Sequence, residues 1–401
     1  MFANPSEMEP MFPKRSGDLV DLAMEVHSEA AALRNSLHKI TRTRIAGLLR
    51  HINSYYSNLI EGHHTHPKDI ERAARKEYDA DPESRALQKL SEAHIEVQKD
   101  IEKRLAEEKE LKICSKEFIC WIHKAFYDRV PEGFREIKAP NSNDVLIMDP
   151  GRLRDRLVSV GRHTPPKSES LEDFLNRFNT AYDPDDLHGS KKLIAVAASH
   201  HRLAWIHPFL DGNGRVARLF SHAYMKKANI ESHGLWTISR GLARKKEDYQ
   251  QFLAIADSSR QGDYDGRGNL SDKGLRRFCK FFLENCLDQV QFMGELLDLD
   301  NLQNRINGYV NQRSQNMLPD EEELREEAKY VLREVMLRGE VPRGEAKHIT
   351  GLGERTARKL ISQLEDEELV VSESHRSPIR FNIPEKVVGQ YFPNLYPEGM
   401  I

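Results

Sequence analysis

The stretch His207-Pro208-Phe209-Leu210-Asp211-Gly212-Asn213-Gly214-Arg215-Val216-Ala217-Arg218 gathers a base, a carboxylate, two glycines and two arginines into one short run. Before it, Lys191 to Ile206 repeats apolar residues at helical spacing with no internal Pro or Gly, which predicts a buried helix delivering His207 at its end. Pro208 helps stop that helix. Gly212 and Gly214 tolerate backbone angles that most residues avoid, and Arg215 to Phe220 predicts a new helix starting near Gly214. A loop that feeds a helix N-terminus aims unpaired N–H groups and the positive end of the dipole at an anion such as phosphate. Asp211 adds a hard oxygen ligand, and Mg2+ needs only one or two carboxylates when phosphates and waters complete its shell. Arg215 and Arg218 are three apart, so both can face one phosphate tail. His207 is the candidate proton acceptor for an incoming hydroxyl, because an imidazole titrates near neutrality. This set of groups suits phosphate chemistry on a nucleotide.

The order HPF, one residue, an acid, GNGR, two residues and Arg resembles the active-site motif of the Fic family without departure. The resemblance implies a mainly α fold, a Fic-type helical bundle with a small β-hairpin flap. It also implies transfer of AMP from ATP, with Mg2+, to a Ser, Thr or Tyr hydroxyl of a target protein or of the chain itself, releasing pyrophosphate. Carried onto this sequence, it makes His207 the general base and Asp211 the metal ligand. Gly212, Asn213, Gly214 and Arg215 would cradle the α- and β-phosphates, and Arg218 would hold the γ-phosphate. Gly214 stands where the phosphoryl-transferring Doc branch generally carries Lys, which argues for nucleotidyl transfer.

A second signature, Ser57-Asn58-Leu59-Ile60-Glu61-Gly62, is similar to the inhibitory motif of the branch whose blocking helix is N-terminal within the same chain. Ser57 and Glu61 share one helix face, and Gly62 is a helix C-terminal stop. By resemblance, Glu61 pairs with Arg218 and removes the arginine that orients the γ-phosphate, so autoinhibition is the expected resting state.

A third piece, Leu157 to Pro166, alternates valines up to Gly161 and a Pro pair, which predicts a short exposed strand. It resembles the Fic flap, which covers the nucleotide through residues such as Val160, Gly161, Arg162 and His163 and takes the target chain by β-strand addition. About a dozen extra residues, Asp144 to Asp155, separate it from Gly133-Phe134-Arg135. In the helical stretch EDYQQFLAIAD, Tyr249 and Asp257 match positions that relatives place around adenine and ribose, although Asn is the familiar residue where Asp257 stands.

At 401 residues the chain can hold two or three compact domains. Charged residues make up 31% of it, yet the net charge is only -3, so the signs are mixed as in a soluble, salt-bridged helical protein. Apolar runs fall short of membrane-spanning length, and Met1 to Gly17 carries Glu and Pro where a signal peptide needs an apolar core; a cytoplasmic location is expected. Cys114, Cys120, Cys279 and Cys286 show no metal-type spacing, so neither disulfide nor zinc is expected. His63, His64 and His66 read as a solvated loop before Pro67.

The expected organisation is an N-terminal helical region over 1–110, a Fic core over 111–300, a linker over 301–320 and a winged helix-turn-helix unit with its tail over 321–401. Asp18 to Glu61, Glu83 to Leu111 and Ser115 to Val130 are helical by pattern. In the last unit, helices over Glu321 to Arg338, Gly344 to Ile349 and Glu354 to Glu368 precede two strands at Leu369 to Val371 and Ile379 to Asn382, the order of a winged helix. Arg355, Thr356, Arg358 and Lys359 could meet phosphates and base edges, while the acidic run Glu365 to Glu368 argues against a DNA-binding face. DNA contact, protein docking and a dimer surface all stay open there. So do two other functions: a nucleotide-sensing regulator, and the reverse reaction in which Glu61 positions water to remove AMP.

Overall fold

The computed structural model describes residues 2–14, 16–138, 145–161 and 163–397, and the chain is mainly helical. Helix α1 (Gly17–Arg34) and helix α2 (Lys39–Ile60) share what the pattern predicted as one helical run. Asn35 caps the first, and the His38 side chain accepts the Ile40 N–H to start the second. Helices α3 (Pro67–Ala74) and α4 (Pro82–Glu107) both begin on proline, the former behind His66 and the latter behind Asp81 as capping residues. Helix α5 (Lys116–Tyr127) follows, capped by Ser115. A two-stranded hairpin of β1 (Glu136–Lys138) and β2 (Val145–Ile147) comes next, with Glu136 opposite Ile147.

Helices α6 (Leu171–Tyr182), α7 (Ser190–Ile206) and α8 (Asn213–Lys227) form the centre of the molecule. From Leu193 to Ile206 every residue of α7 except Ala204 is buried, because α1, α6, α8 and α11 (Asp272–Leu297) all pack on it. Helices α9 (Ile238–Arg244) and α10 (Lys246–Ala256) lean on α11. No described helix is long and apolar enough to cross a membrane.

Part of the expected linker over 301–320 is in fact helix α12 (Leu299–Ser314). Its last turn buries Arg313, whose guanidinium meets Glu367 at 2.6 and 2.8 Å, Glu321 at 3.0 Å and the Glu322 carbonyl at 2.7 Å. Glu321 and Glu322 are held in that network, so helix α13 (Ala328–Arg338) begins seven residues later than the pattern predicted. Strand β3 (Glu340–Val341), helices α14 (Ala346–Thr350) and α15 (Glu354–Asp366), strands β4 (Val370–Val371) and β5 (Ile379–Phe381) and helix α16 (Glu385–Tyr391) complete the chain. The three strands form an antiparallel sheet in the order β3-β5-β4. This unit packs on α2: the Thr41 hydroxyl donates to the Met336 carbonyl at 2.7 Å and the Tyr56 hydroxyl to the Leu395 carbonyl at 3.0 Å.

Burial of neutral imidazoles gives the fold a pH limit. His123 and His200 have no exposed surface, and burial pushes their imidazoles down to about 4 and about 3. In the unfolded chain both take up a proton near 6.5, so between there and about 4 the unfolded state binds more protons and stability falls as pH falls. These two groups alone contribute roughly 3 kcal/mol per pH unit at the steepest part. Thermal melts are expected to drop sharply below pH 6; a melting temperature flat from pH 7 to 5 would contradict this burial.

Candidate active site

The turn after α7 is built by its own backbone. His207 caps α7 in the left-handed region (φ 50, ψ 62), Gly212 caps α8 at φ 77, and the Asn213 side chain braces the loop between them. Its Oδ1 accepts the Phe209 N–H at 3.0 Å and its Nδ2 donates to the Phe209 carbonyl at 2.9 Å. Asn213 thus shapes the turn with its side chain. No side chain caps α8, so its first-turn N–H groups open into the loop.

The two glycines do different jobs. Gly212 needs its positive φ, and a Cβ there would lie 2.4 Å from the Tyr127 ring. Gly214 is an ordinary helical residue, contrary to the expectation of unusual backbone angles. Space is its reason: a Cβ would sit 2.5 Å from Glu61 Oε1 and 3.1 Å from Arg218 Nη1.

Those contacts bring in α2, 157 residues away. Gly62 ends that helix at φ 85, leaving Glu61 as its C-cap. Glu61 Oε1 accepts from Arg218 Nη2 at 2.6 Å, while Arg218 Nε donates to Ser57 Oγ at 2.9 Å and its Nη2 also to the Ser57 carbonyl at 3.0 Å. The Arg218 side chain is 1% exposed and that of Glu61 31%. Burial works to raise the Glu61 carboxyl, but Arg218 and then Arg215 hold it below its ordinary value, so it stays ionised at neutral pH. The negative end of α2 thus faces the positive end of α8, with a carboxylate lying where an anion would sit.

Arg215 is buried and forms no ion pair among the described residues, although its charge acts on Glu61 from farther off. Nε reaches Asn58 Oδ1 at 3.4 Å, Nη1 reaches the Tyr127 hydroxyl at 3.5 Å, and Nη2 has no hydrogen-bond partner. A buried cation with a free donor beside an uncapped helix start is suited to an anionic ligand. The Asp211 carboxylate is exposed and makes no hydrogen bond or ion pair among the described residues, and one such carboxylate fits Mg2+ when phosphates and waters supply the rest.

The His207 imidazole is pushed down to about 4, chiefly by burial, with the Arg154 charge nearby adding to it. It is therefore neutral at physiological pH and able to accept a proton.

The remaining expected residues are placed differently. Leu157 to Val160 is not a strand, since an alternating segment needs another edge to satisfy its N–H and C=O groups and none of the described residues offers one. Only a bridge between Val160 and His163, around Gly161 at φ 60, remains, and the hairpin lies earlier, at β1 and β2. Arg162 lies outside the described residues. His163 turns inward, its Nε2 2.8 Å from the Trp205 carbonyl. Tyr249 is 4% exposed, with its hydroxyl 2.7 Å from His200 Nε2, so it offers an adenine no free face and instead supports α7 from beneath. Asp257 caps α10, its Oδ1 3.1 Å from His201 Nε2.

Two residues of the site had no role in the sequence reading. His123 stacks on Phe209 at 4.0 Å between ring centroids, accepts the Gly151 N–H at Nδ1 (2.8 Å) and so presents its Nε2 proton to the Asp211 carbonyl at 3.3 Å. Its i,i+4 spacing from Tyr127 was the available signal. The other, Arg154, has no signal at all in its surroundings in sequence.

Residues 113–225 match the model of the Fic/DOC family. Two curated proteins, each named "Protein adenylyltransferase Fic", are similar over part of their length. That of Nematostella vectensis is 42% identical over 86 residues, 21% of this chain and 19% of the relative. That of Drosophila grimshawi is 33% identical over 78 residues, 20% of this chain and 16% of the relative. The chain thus spans less than a fifth of the length of these relatives. A Fic family protein from Desulfovibrio desulfuricans G20 superposes with a TM-score of 0.52 at 16% identity, covering 92% of this chain and 97% of that one. Fic-1 (residues 134 to 508) from C. elegans also reaches 0.52 at 16% identity, covering 69% and 72%. At such identity the likeness is one of fold.

Proposed function

We propose that this chain is an autoinhibited protein adenylyltransferase, moving AMP from ATP to a Ser, Thr or Tyr hydroxyl of a target protein or of itself. The observation that carries this reading is Arg215, buried with a free guanidinium nitrogen at the uncapped start of α8, beside an Arg218 held by Glu61. The first-turn N–H groups of α8 and Arg215 bind the inner phosphates, and Arg218, once freed, takes the γ-phosphate. Asp211 would hold Mg2+, which supplies charge neutralisation along the phosphate chain. The target hydroxyl attacks the α-phosphorus and gives its proton to the neutral His207 imidazole. The bond from the α-phosphorus to the α–β bridging oxygen breaks, and pyrophosphate leaves. ATP labelled at the α-phosphate should therefore mark protein in the Glu61→Gly form, and ATP labelled at the γ-phosphate should not. Marking from the γ-position alone would replace this reading with phosphoryl transfer.

The C-terminal unit supports a second, compatible reading as a winged helix with α15 as its recognition helix. The acidic run that argued against DNA is largely spent internally: Glu365 pairs with Arg343, Glu367 with Arg313 and Lys386, and Glu368 with Arg75. Arg355, Arg358 and Lys359 are exposed near the helix start, with Arg358 paired to Glu354 at 2.5 Å. Salt-sensitive retention of duplex DNA, lost in Arg355→Glu, is the expected result. Retention that ignores this change would leave the unit to protein contacts.

A further inference from the structure

We infer that Arg154 is a positioning residue that holds the His207 backbone in the geometry transfer needs; the assignment rests on reading His207 as the proton acceptor. Arg154 lies in the segment that separates the hairpin from the Val160 turn, and it is 2% exposed. Its guanidinium reaches four carbonyls: His207 from Nε at 2.8 Å, Arg156 from Nη1 at 3.0 Å, and Pro166 and Ile206 from Nη2 at 2.5 and 3.5 Å. Its own N–H donates to the Pro208 carbonyl at 2.9 Å. Among the described residues no carboxylate forms an ion pair with it.

A buried cation without an acid is costly unless fixed dipoles replace its water. Here two of them, the Ile206 and His207 carbonyls, are the last of α7, at the negative end of the helix dipole. Those same carbonyls lose their helical partners because His207 turns left-handed, a conformation that a residue with a Cβ adopts only when its surroundings enforce it. The guanidinium fork satisfies both needs at once. A lysine could keep the charge but could not span the carbonyls with the same rigid geometry. Gly151, three residues earlier, bonds His123, which bonds the Asp211 carbonyl, so one short segment straps both the His207 and the Asp211 ends of the turn.

The test compares Arg154→Met and Arg154→Lys in the Glu61→Gly background, with kcat, KM for ATP and the NMR titration of the His207 imidazole. Loss of the fork should lower kcat about a hundredfold in the Met variant while KM moves no more than about twofold. The Lys variant should recover part of kcat. The imidazole should titrate higher in the Met variant as the neighbouring charge disappears, while burial, the larger cause, still holds it below 6.5, and the acid limb of kcat should move with it. An unchanged kcat, or a loss that follows the melting temperature while the His207 titration stays in place, would overturn the assignment. If the Glu61→Gly parent transfers no AMP, the functional reading fails, and the titration still decides whether Arg154 governs His207.

Discussion

Replacing Glu61 with Gly is expected to raise incorporation of label from the ATP α-phosphate by about two orders of magnitude. The Glu61 carboxylate occupies Arg218 at 2.6 Å and hangs over the start of α8, where the terminal phosphate must go. Breaking a buried pair costs about 3–5 kcal/mol, and the 31% exposure of the Glu61 side chain brings that down toward 3. At about 1.4 kcal/mol per factor of ten, removing this competitor shifts the balance toward productive nucleotide by roughly a hundredfold. The same change strands a buried guanidinium, so the variant should melt lower than its parent without nucleotide and recover when ATP and Mg2+ are added. Labelling that does not rise, together with a melting temperature equal to the parent's, would show that the pair restrains nothing.

The opposite result is expected at His207. In the released background, His207→Ala should cut the single-turnover rate by about 10²–10⁴-fold. Binding of ATP should change little, because the groups facing the phosphates belong to α8 and its preceding loop. The fold should also tolerate the change: Ala at a left-handed position costs only about 1–2 kcal/mol, and the Arg154 bonds run to the backbone carbonyl. Quench-flow measurement with α-labelled ATP, paired with equilibrium nucleotide binding, separates the two quantities. A rate within tenfold of the released parent would remove His207 from the role of proton acceptor.

The two helices flanking the central turn were legible because α7 and α8 are amphipathic or apolar at helical spacing and their junction carries Pro and Gly. The residues of the proposed site on that turn were legible there too, since they are neighbours in sequence. The contact of Glu61 with Arg218 spans 157 residues, and residue patterns alone do not predict such an encounter; family resemblance brought the two together. Local pattern failed where a distant group decides. Gly214 is small because of Glu61, Glu321 leaves its helix because of Arg313, and Leu157 to Ser159 stays unpaired because no described strand pairs with it. The break at Asn35 to His38 was readable from its turn-forming residues, but the apolar repeat on either side continued through it and masked the stop.

Helix α2 carries Glu61 at one end and the C-terminal unit along its flank. Gly339 turns at φ 79 against its first residues, where a Cβ would fall 2.1 Å from His38 Nδ1, and Tyr396 packs edge-on against Tyr55 at 5.2 Å farther along. On the proposed reading, the tail is therefore part of the mounting of the plug that stops the nucleotide seat. A shortened chain prepared to isolate residues 113–225 would have a stripped beam, and its behaviour would describe a loosened mounting of Glu61, not the full chain.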